Sequence, residues 1–231
     1  MVALLKTMKK SLIAIFLLLF PVIANAESIA LVSDIHFGKG NKRASIQGHY
    51  VYPKQAEKTF KKKIKQFKKL KINTLIVLGD ITDNNDLKSF RKLQKDTKDT
   101  DTVWIKGNHD GDYGVFKDNV IDYGDYQIIT LDSNSQFGTT IGYLSDEQKN
   151  FVLSNLTKPT IIAMHHPFYS CGSSTVRLNF AGFKQELENK GNVIAVLSGH
   201  CHRPNFQESN GVKYITVDAL NPRGNQTIFS F

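Results

Sequence analysis

Residues 73–83, NTLIVLGDITD, contain four large apolar residues that are followed at once by Gly79 and Asp80. A short apolar run with β-branched members predicts a strand that is buried on both faces. Four similar runs also end in polar, chemically capable side chains within a few positions. They are residues 29–32 before Asp34 and His36, 103–105 before Asn108 and His109, 160–164 before His165 and His166, and 193–197 before His200 and His202.

Helical patterns lie between several of these runs, at residues 54–71, 86–95, 145–156 and 179–189. Ser145 and Gln148 form a plausible capping box for the third of these helices. Further strands are predicted at 127–131 and 213–217, and Asn210-Gly211 is a hairpin signal before the last one. The alternation predicts an α/β layered fold with some antiparallel pairing toward the C-terminus.

Lysines are concentrated in the first helical pattern, residues 54–71. Phe60, Ile64, Phe67 and Leu70 recur there at helical spacing and predict the buried side, while lysines occupy the other positions. We interpret the lysines as a solvated helix face. A nucleic-acid patch is disfavoured, because no aromatic residues are interleaved with the lysines on that face.

The composition is that of one ordinary globular domain. Of the 231 residues, 41% are hydrophobic and 22% are charged, which excludes disorder, and two cysteines are too few for a disulfide framework. Lys6, Lys9 and Lys10 precede an apolar run, residues 12–23, that ends in Ala24-Asn25-Ala26. This pattern predicts a cleavable secretory signal at 1–26, a single domain at 27–231 and a periplasmic or secreted protein. A membrane anchor is the alternative, but the run is shorter than the roughly 20 residues that a spanning helix needs.

Six of the seven histidines lie in the five motifs that follow the strands, and only His49 stands apart. Because the carboxyl ends of parallel strands gather at one edge of a sheet, we expect these side chains to form one site. Imidazoles mixed with Asp and Asn oxygens, without a thiolate, suit Mn, Fe, Zn or similar divalent ions. Seven candidate ligands exceed what one ion needs, so we predict two metal ions, with Asp80 as the shared ligand.

The five blocks, in this order from Val32 to His202, resemble the calcineurin-like metallophosphoesterase superfamily. Their contexts look most like its small, class III cyclic-nucleotide-phosphodiesterase-like branch. The resemblance implies a four-layer α/β/β/α sandwich, in which two mixed sheets are flanked by helices. It also implies two sets of metal ligands, namely Asp34, His36, Asp80 and His202 for the first ion, and Asp80, Asn108, His165 and His200 for the second.

The mechanism implied by this resemblance is attack on phosphorus by a hydroxide that bridges the two metals. Asn108 would help to stabilise charge on the phosphoryl oxygens, and His109 would protonate the leaving group. Asp83 matches an aspartate that orients this histidine in some members of the superfamily.

Several further residues have two interpretations. His166 and Arg203 are predicted to contact substrate, although His166 could instead support a ligand and Arg203 could pair with an acidic neighbour. Asp110 either orients His109 or caps a loop. The loop at 38–52, with His49 and Tyr50, is either a wall of the substrate pocket or a plain surface loop. Cys171 and Cys201 are either two free thiols or one disulfide near the site.

The predicted function is metal-dependent hydrolysis of small-molecule phosphomonoesters, phosphodiesters or both. The alternatives are a pyrophosphate hydrolase that uses the same metal centre and a non-catalytic metal-binding protein. We expect no specific nucleic-acid partner and no stable membrane insertion after signal cleavage. The motifs specify neither the natural substrate nor the oligomeric state.

Overall fold

The computed structural model describes residues 27–44, 50–135, 138–171, 176–177, 179–222 and 227–231. The helices are α1 (Pro53–Lys69), α2 (Leu87–Asp96), α3 (Asp146–Asn155) and α4 (Phe180–Lys190). The strands are β1 (Ser28–Val32), β2 (Arg43–Ala44), β3 (Tyr50–Val51), β4 (Thr74–Leu78), β5 (Asp101–Ile105), β6 (Asn119–Asp122), β7 (Gln127–Thr130), β8 (Asn134–Ser135), β9 (Gly138–Gly142), β10 (Thr160–Ala163), β11 (Val176–Arg177), β12 (Val193–Ser198), β13 (Asn205–Ser209), β14 (Val212–Thr216) and β15 (Thr227–Ser230). Within these residues, no helix combines the length and the apolar character needed to cross a membrane.

Two large mixed sheets organise the strands. The first has the order β15-β1-β4-β5, and the second has the order β13-β14-β12-β10-β7-β6. The inner pairs are parallel, whereas β15, β13 and β6 add to the sheets in antiparallel fashion. Because the parallel strands share one direction within each sheet, their carboxyl ends lie along a common edge.

Side chains alternate between the faces of each strand and so build three cores. Leu31 and Ile76 of the first sheet meet Ile161 and Leu197 of the second, and this core lies between the sheets. The intervening residues of β1 and β4 pack against α1 and α2, through side chains that include Ala30, Val77, Phe60 and Phe90. The outer face of the second sheet packs against α3 and α4, through side chains that include Ile162, Val196, Val152 and Leu187. The predicted four-layer α/β/β/α sandwich is confirmed.

The local signals place most elements correctly. Ser145 accepts from the Gln148 main chain while the Gln148 side chain returns to the Ser145 N–H, as predicted for the start of α3. Asn210 and Gly211 have φ values of 48° and 80°, which is the left-handed pair that a two-residue hairpin between β13 and β14 requires.

Leu70 was wrongly assigned to the buried side of the first helix. Phe60, Ile64 and Phe67 are buried as predicted, but α1 ends at Lys69 and Leu70 is 52% exposed at its C-terminal cap. Helical spacing places a side chain on the buried face only while the chain is helical. Leu70 follows the last helical residue, so the spacing does not apply to it and its side chain is exposed.

The predicted signal at residues 1–26 and the loop residue His49 lie outside the described residues. The signal and the single-domain assignment of 27–231 stay predictions.

Candidate metal centre

The predicted ligands come from both sheets and meet where the carboxyl edges of the two sheets face each other. Asp34, Asp80 and Asn108 follow β1, β4 and β5, while His165 and His200 follow β10 and β12. A main-chain contact joins the two groups, because the N–H of His200 donates to Asp34 Oδ2 at 3.0 Å. The predicted convergence of these five motifs is therefore present in the fold.

One cluster contains Asp34, His36, Asp80 and His202, all of them buried, and their ligand atoms lie within 4.8 Å of one another. His36 Nε2 is 3.1 Å from His202 Nε2, and Asp34 Oδ1 is 3.2 Å from the same nitrogen. His36 Nε2 also lies 3.6 Å from Asp80 Oδ2. These atoms surround a common point from two sheets.

A second cluster lies on the other side of Asp80. Asn108 Oδ1 is 3.1 Å from His165 Nε2 and 3.0 Å from His200 Nδ1, and these two nitrogens are 3.2 Å apart. Asp80 Oδ1 is 3.4 Å from His165 Nε2. The two carboxylate oxygens of Asp80 therefore face different clusters.

A cation fits the chemistry of both clusters. Facing imidazole nitrogens repel each other unless one of them carries a proton, and Asp34 Oδ1 is buried without a hydrogen-bond partner among the described residues. Leaving such polar atoms unpaired in a buried site is costly. Nitrogen and oxygen donors without a thiolate match divalent transition metals, so the side chains that are present suit the predicted ions.

The buried carboxylates and histidines of the two clusters shift each other's pKa values. Burial raises the pKa of Asp34, but His202 and other nearby histidines outweigh it and hold this pKa well below its ordinary value. Burial lowers the pKa of His165, yet Asp80 and Asp34 raise it above its ordinary value overall. Burial and His165 lower the pKa of His200 to about 4, so its imidazole is neutral at pH 7.

Metal uptake should release protons for this reason. The carboxylates hold the pKa values of His165 and His202 above normal in the metal-free protein, and a bound metal requires the neutral imidazoles. We expect metal affinity to fall as the pH drops below 7, because protons then compete for both nitrogens. Calorimetric titration in buffers of different ionisation enthalpy would measure the released protons, and buffer-independent heats would contradict the prediction.

The main chain at the site is strained. Asp34, His36, Asp80, His200 and His202 all have positive φ values, between 48° and 70°. Non-glycine residues in this region cost about 1–3 kcal/mol each and collect at functional sites, where the surrounding fold enforces them. The left-handed conformation at these positions directs the side chains that follow the strand ends into one small volume.

Two glycines allow the strand ends to approach closely. A Cβ atom on Gly107 would lie 2.0 Å from the Asp80 main-chain nitrogen, and one on Gly199 would lie 1.8 Å from Ser33 Oγ. Neither space can hold a side chain. These positions explain why glycine precedes both Asn108 and His200.

Residues 27–204 match the family model described as calcineurin-like phosphoesterase. The chain belongs to the calcineurin-like phosphoesterase family. Membership in this family makes it a metal-dependent phosphoester hydrolase, in agreement with the sequence-based prediction. The non-catalytic alternative is thereby disfavoured.

Relatives of this phosphoesterase are known by sequence and by structure. A 3',5'-cyclic-nucleotide phosphodiesterase of Nostoc sp. is 26% identical over 81% of this chain and 76% of its own. A probable cyclic nucleotide phosphodiesterase of Vesicomyosocius okutanii is 24% identical over 82% and 84%. A dimetal phosphatase from Danio rerio has a TM-score of 0.73 at 13% identity, covering 86% and 90% of the two chains, and supports the fold.

His109 stands at the open side of the phosphoesterase site. Its main-chain N–H donates to Asp80 Oδ1 at 2.9 Å, and its ring packs edge-on at 4.8 Å from the His36 ring. Asp83 does touch His109, but through its main-chain oxygen, which lies 3.3 Å from His109 Nδ1. The Asp83 carboxylate instead pairs with Arg43 and lies 3.6 Å from His36 Nδ1. The contact from Asp83 to the His109 ring is thus made by the main chain, and the orienting role of Asp83 stays a prediction.

Asp110 organises the loops that follow β4 and β5. Its carboxylate accepts from the N–H groups of Ile81, Thr82 and Gly107 at 2.9–3.0 Å. Burial and the nearby Asp80 raise the pKa of Asp110 to about 6. Of the two interpretations left open, loop capping is the one that the structure supports.

Asp110→Ala should destabilise the phosphoesterase by about 3 kcal/mol or more, because three buried N–H groups lose their acceptor at about 1–3 kcal/mol each. Chemical denaturation would measure the change in unfolding free energy. Asp112→Ala is the matched control, since the exposed Asp112 accepts, among the described residues, a single hydrogen bond, from the Gly114 N–H. Equal losses in the two variants would contradict the capping role.

His166 and Arg203 make supporting contacts. His166 is fully buried, its Nδ1 lies 3.0 Å from Ser133 Oγ, and its ring centroid is 4.5 Å from that of His200. Arg203 donates to the Cys171 carbonyl oxygen at 2.7 Å. The substrate-binding roles stay predictions, and the position of His166 favours support of His200 instead.

Cys171 and Cys201 form a disulfide with a Cα–Cα distance of 5.5 Å, which decides between the two alternatives left open by the sequence. Cys201 lies between His200 and His202, so the bond ties their loop to the segment that follows His165.

Loss of the disulfide should weaken metal binding, because the bond supports the loop that carries His200 and His202. We expect a Cys171→Ser, Cys201→Ser double variant to bind metal about tenfold or more weakly, as is typical when support around ligands is lost. Metal affinity would be measured by competition with a chromogenic chelator. A Ser170→Ala variant is the control, and unchanged affinity in the double variant would contradict the prediction.

Sequence reasoning missed three residues that shape the site. Ser33 Oγ donates to Asp34 Oδ2 at 2.6 Å, Ser133 accepts from the His166 N–H, and Arg43 pairs with Asp83. No sequence signal identified Ser133 or Arg43, because neither belongs to the five motifs: Arg43 lies in β2, and Ser133 lies between β7 and β8. Ser33 could have been suspected only from its position next to Asp34.

Proposed function

We propose that this phosphoesterase uses two divalent transition-metal ions, such as Mn, Fe or Zn, to hydrolyse phosphodiesters and phosphomonoesters of small molecules. The observation that carries the proposal is the position of Asp80. Its Oδ2 faces the cluster with His36, and its Oδ1 faces the cluster with His165. A carboxylate in this position can serve two ions at once, as two-metal hydrolysis requires.

The first ion would be held by Asp34, His36, Asp80 and His202, and the second by Asp80, Asn108, His165 and His200. When bound, such ions polarise a phosphoryl oxygen and make water a strong nucleophile near neutral pH. The protein contributes rigid ligand positions. The main-chain contact from His200 to Asp34 Oδ2 and the glycines before Asn108 and His200 keep both sheets in register at the site.

His109 is proposed as the proton donor to the leaving group. With its Nδ1–H directed to the Asp83 carbonyl oxygen, the ring is held in one orientation and Nε2 is left for the substrate. When Nε2 also carries a proton, the imidazolium can donate that proton to a departing alkoxide and return to the neutral ring. Asn108 can stabilise charge that develops on the phosphoryl oxygens through its side-chain N–H groups, provided its Oδ1 faces the metal cluster.

Phosphodiesters, including 3',5'-cyclic nucleotides, are the proposed first substrates. Support comes from the relatives that are named cyclic-nucleotide phosphodiesterases and that match about four-fifths of this chain. Monoesters remain part of the proposal, because both reactions use the same in-line attack. Cleavage of nucleotide anhydrides is the competing activity that product analysis must separate.

A substrate panel tests the proposal. Metal-free protein would be titrated with Mn²⁺, Fe²⁺ and Zn²⁺, and each form would be assayed with a cyclic nucleotide, an aryl diester, an aryl monoester and a dinucleotide anhydride. We expect activity to rise until two ions are bound per chain and to be higher on esters than on the anhydride. Saturation at one ion would reject the dinuclear site, and preferred anhydride cleavage would reject the ester assignment.

We also propose that the protein acts in the periplasm or outside the cell. The Cys171–Cys201 disulfide supports this, because such bonds persist in oxidising compartments. Cell fractionation combined with thiol labelling of unreduced protein would test it. Free thiols on a cytoplasmic protein would overturn the proposal.

A further inference from the structure

Positive charge is concentrated in one outer layer of the sandwich. Helices α1 and α2 contain twelve Lys or Arg residues and two acidic ones. The whole segment 27–231 contains 27 basic and 21 acidic residues, so the remainder has 15 basic and 19 acidic ones. The layer formed by α1 and α2 is thus strongly cationic, while the rest of the molecule is slightly anionic.

Two lines of lysines run along α1, and they differ in how their charge is balanced. Lys61 and Lys68 lie on the side facing α2 and its C-terminal loop, where they pair with Glu57, Asp96 and Asp99. Lys58, Lys62, Lys65 and Lys69 form the second line, which we call the lysine stripe. Within the described part of the chain its members make no ion pair, and all four are exposed.

The lysine stripe follows the spacing i, i+4, i+7 and i+11, so it occupies one face of α1 over about 16 Å. Like charges at this spacing destabilise a helix slightly, and no carboxylate on that line offsets them. Gln55, Gln66 and Thr59 line a groove beside Lys58 and Lys62 with further hydrogen-bonding groups. The face therefore offers several cations and neutral donors to an extended anion.

The C-terminal end of the lysine stripe lies near the start of β1, the first strand of the fold. Ile29 of β1 pairs with Thr74 of β4, and Thr74 follows the C-terminus of α1 by a few residues. The start of β1 therefore lies at the same edge of the molecule as Lys69 and the exposed Leu70. A cationic face with an exposed leucine at this edge matches a membrane surface.

We propose that the lysine stripe and the adjoining end of α1 bind the surface of an anionic phospholipid bilayer. Polybasic surfaces bind anionic headgroups through charges spread over such an area. Nucleic acid fits this face less well, because the aromatic residues of α1, Phe60 and Phe67, are buried and offer no stacking surface. The metal centre lies toward the N-terminal end of α1, where the N–H of Gly38, two residues after His36, donates to the Pro53 carbonyl oxygen.

Vesicle binding of the full chain tests this proposal. The measured quantity is the ratio of partition coefficients on vesicles with about one-third phosphatidylglycerol and on pure phosphatidylcholine vesicles. We expect a ratio of about one hundred or more at low salt, falling steeply at high salt. Residues 1–26, including their three lysines, are the same in the wild type and in every variant. Differences in the ratio between the variants therefore come from the substituted lysines.

Two quadruple variants with equal changes in net charge separate the stripe from total charge. Lys58→Gln, Lys62→Gln, Lys65→Gln and Lys69→Gln together should lower the ratio at least about tenfold. Lys39→Gln, Lys117→Gln, Lys190→Gln and Lys213→Gln together should lower it less than about threefold. Both variants should keep the circular dichroism spectrum and the thermal unfolding midpoint of the wild type, which shows that they fold.

Equal losses in the two variants, or a wild-type ratio near one, would overturn the proposal. Duplex DNA, added at the same phosphate concentration as the anionic lipid, provides a competing arm. If the DNA displaces the protein from the vesicles in a stripe-dependent way, nucleic acid is the preferred partner and the lipid assignment is wrong. Failure of the phosphoesterase activity would leave these binding measurements unaffected.

Discussion

Replacing Asp80 with Asn should remove stoichiometric metal and lower turnover at least about a thousandfold, because metal stabilisation of the transition state is worth several kcal/mol. The carboxylate faces both clusters, at 3.6 Å from His36 Nε2 and 3.4 Å from His165 Nε2. Asn keeps the shape and can still accept from the His109 N–H, but it carries no charge. One substitution therefore weakens both ions.

The measurement is metal content by elemental analysis together with steady-state kinetics on an aryl diester. Asp112→Asn is the control, because Asp112 is an exposed carboxylate outside both clusters. We expect Asp80→Asn to fold with a stability near that of the metal-free wild type, since both lack the ions. Two ions bound per chain in Asp80→Asn would show that Asp80 is not shared between them.

Asp34→Asn separates a shared ligand from an ordinary one. Asp34 belongs to one cluster only, and its Oδ1 lies beside His202. Its loss should leave about one ion per chain, whereas loss of Asp80 should leave less than one. Equal stoichiometry in the two variants would point to a single metal site.

The positions of the ligand residues were predictable because the strands that precede them are central in the sheets. Residues 74–78 pair with a parallel strand on each side, so they are buried on both faces and appear in the sequence as a short apolar run. The polar residues that follow must then lie at the common edge. Asp80, Asn108, His165 and His200 were located in this way.

The two-sheet arrangement came from the resemblance, since apolar runs alone do not show how many sheets they form. Edge strands such as β6 and β15 were not predicted, because half-exposed antiparallel strands carry little apolar signal. The sequence also did not predict the individual contacts around the site. Nothing in the sequence pairs His200 with Asp34, or Arg43 with Asp83, because tertiary packing alone brings these residues together.

His109→Ala should leave the metal content unchanged and lower kcat by an amount that depends on the leaving group. For an alkyl leaving group, such as the ribose hydroxyl of a cyclic nucleotide, we expect a loss of about a hundredfold to ten-thousandfold, the usual contribution of a general acid. For nitrophenolate, which leaves without a proton, we expect a loss below about tenfold. The ratio of the two losses isolates proton donation.

This ratio is informative because His109 also has a structural contact. Its main-chain N–H donates to Asp80 Oδ1, but that bond does not involve the side chain and survives in His109→Ala. A general loosening of the site would slow both substrates equally, and equal losses would reject the proton-donor role. Asp83 contacts the His109 ring through a carbonyl oxygen, so Asp83→Asn should preserve the difference between the two esters.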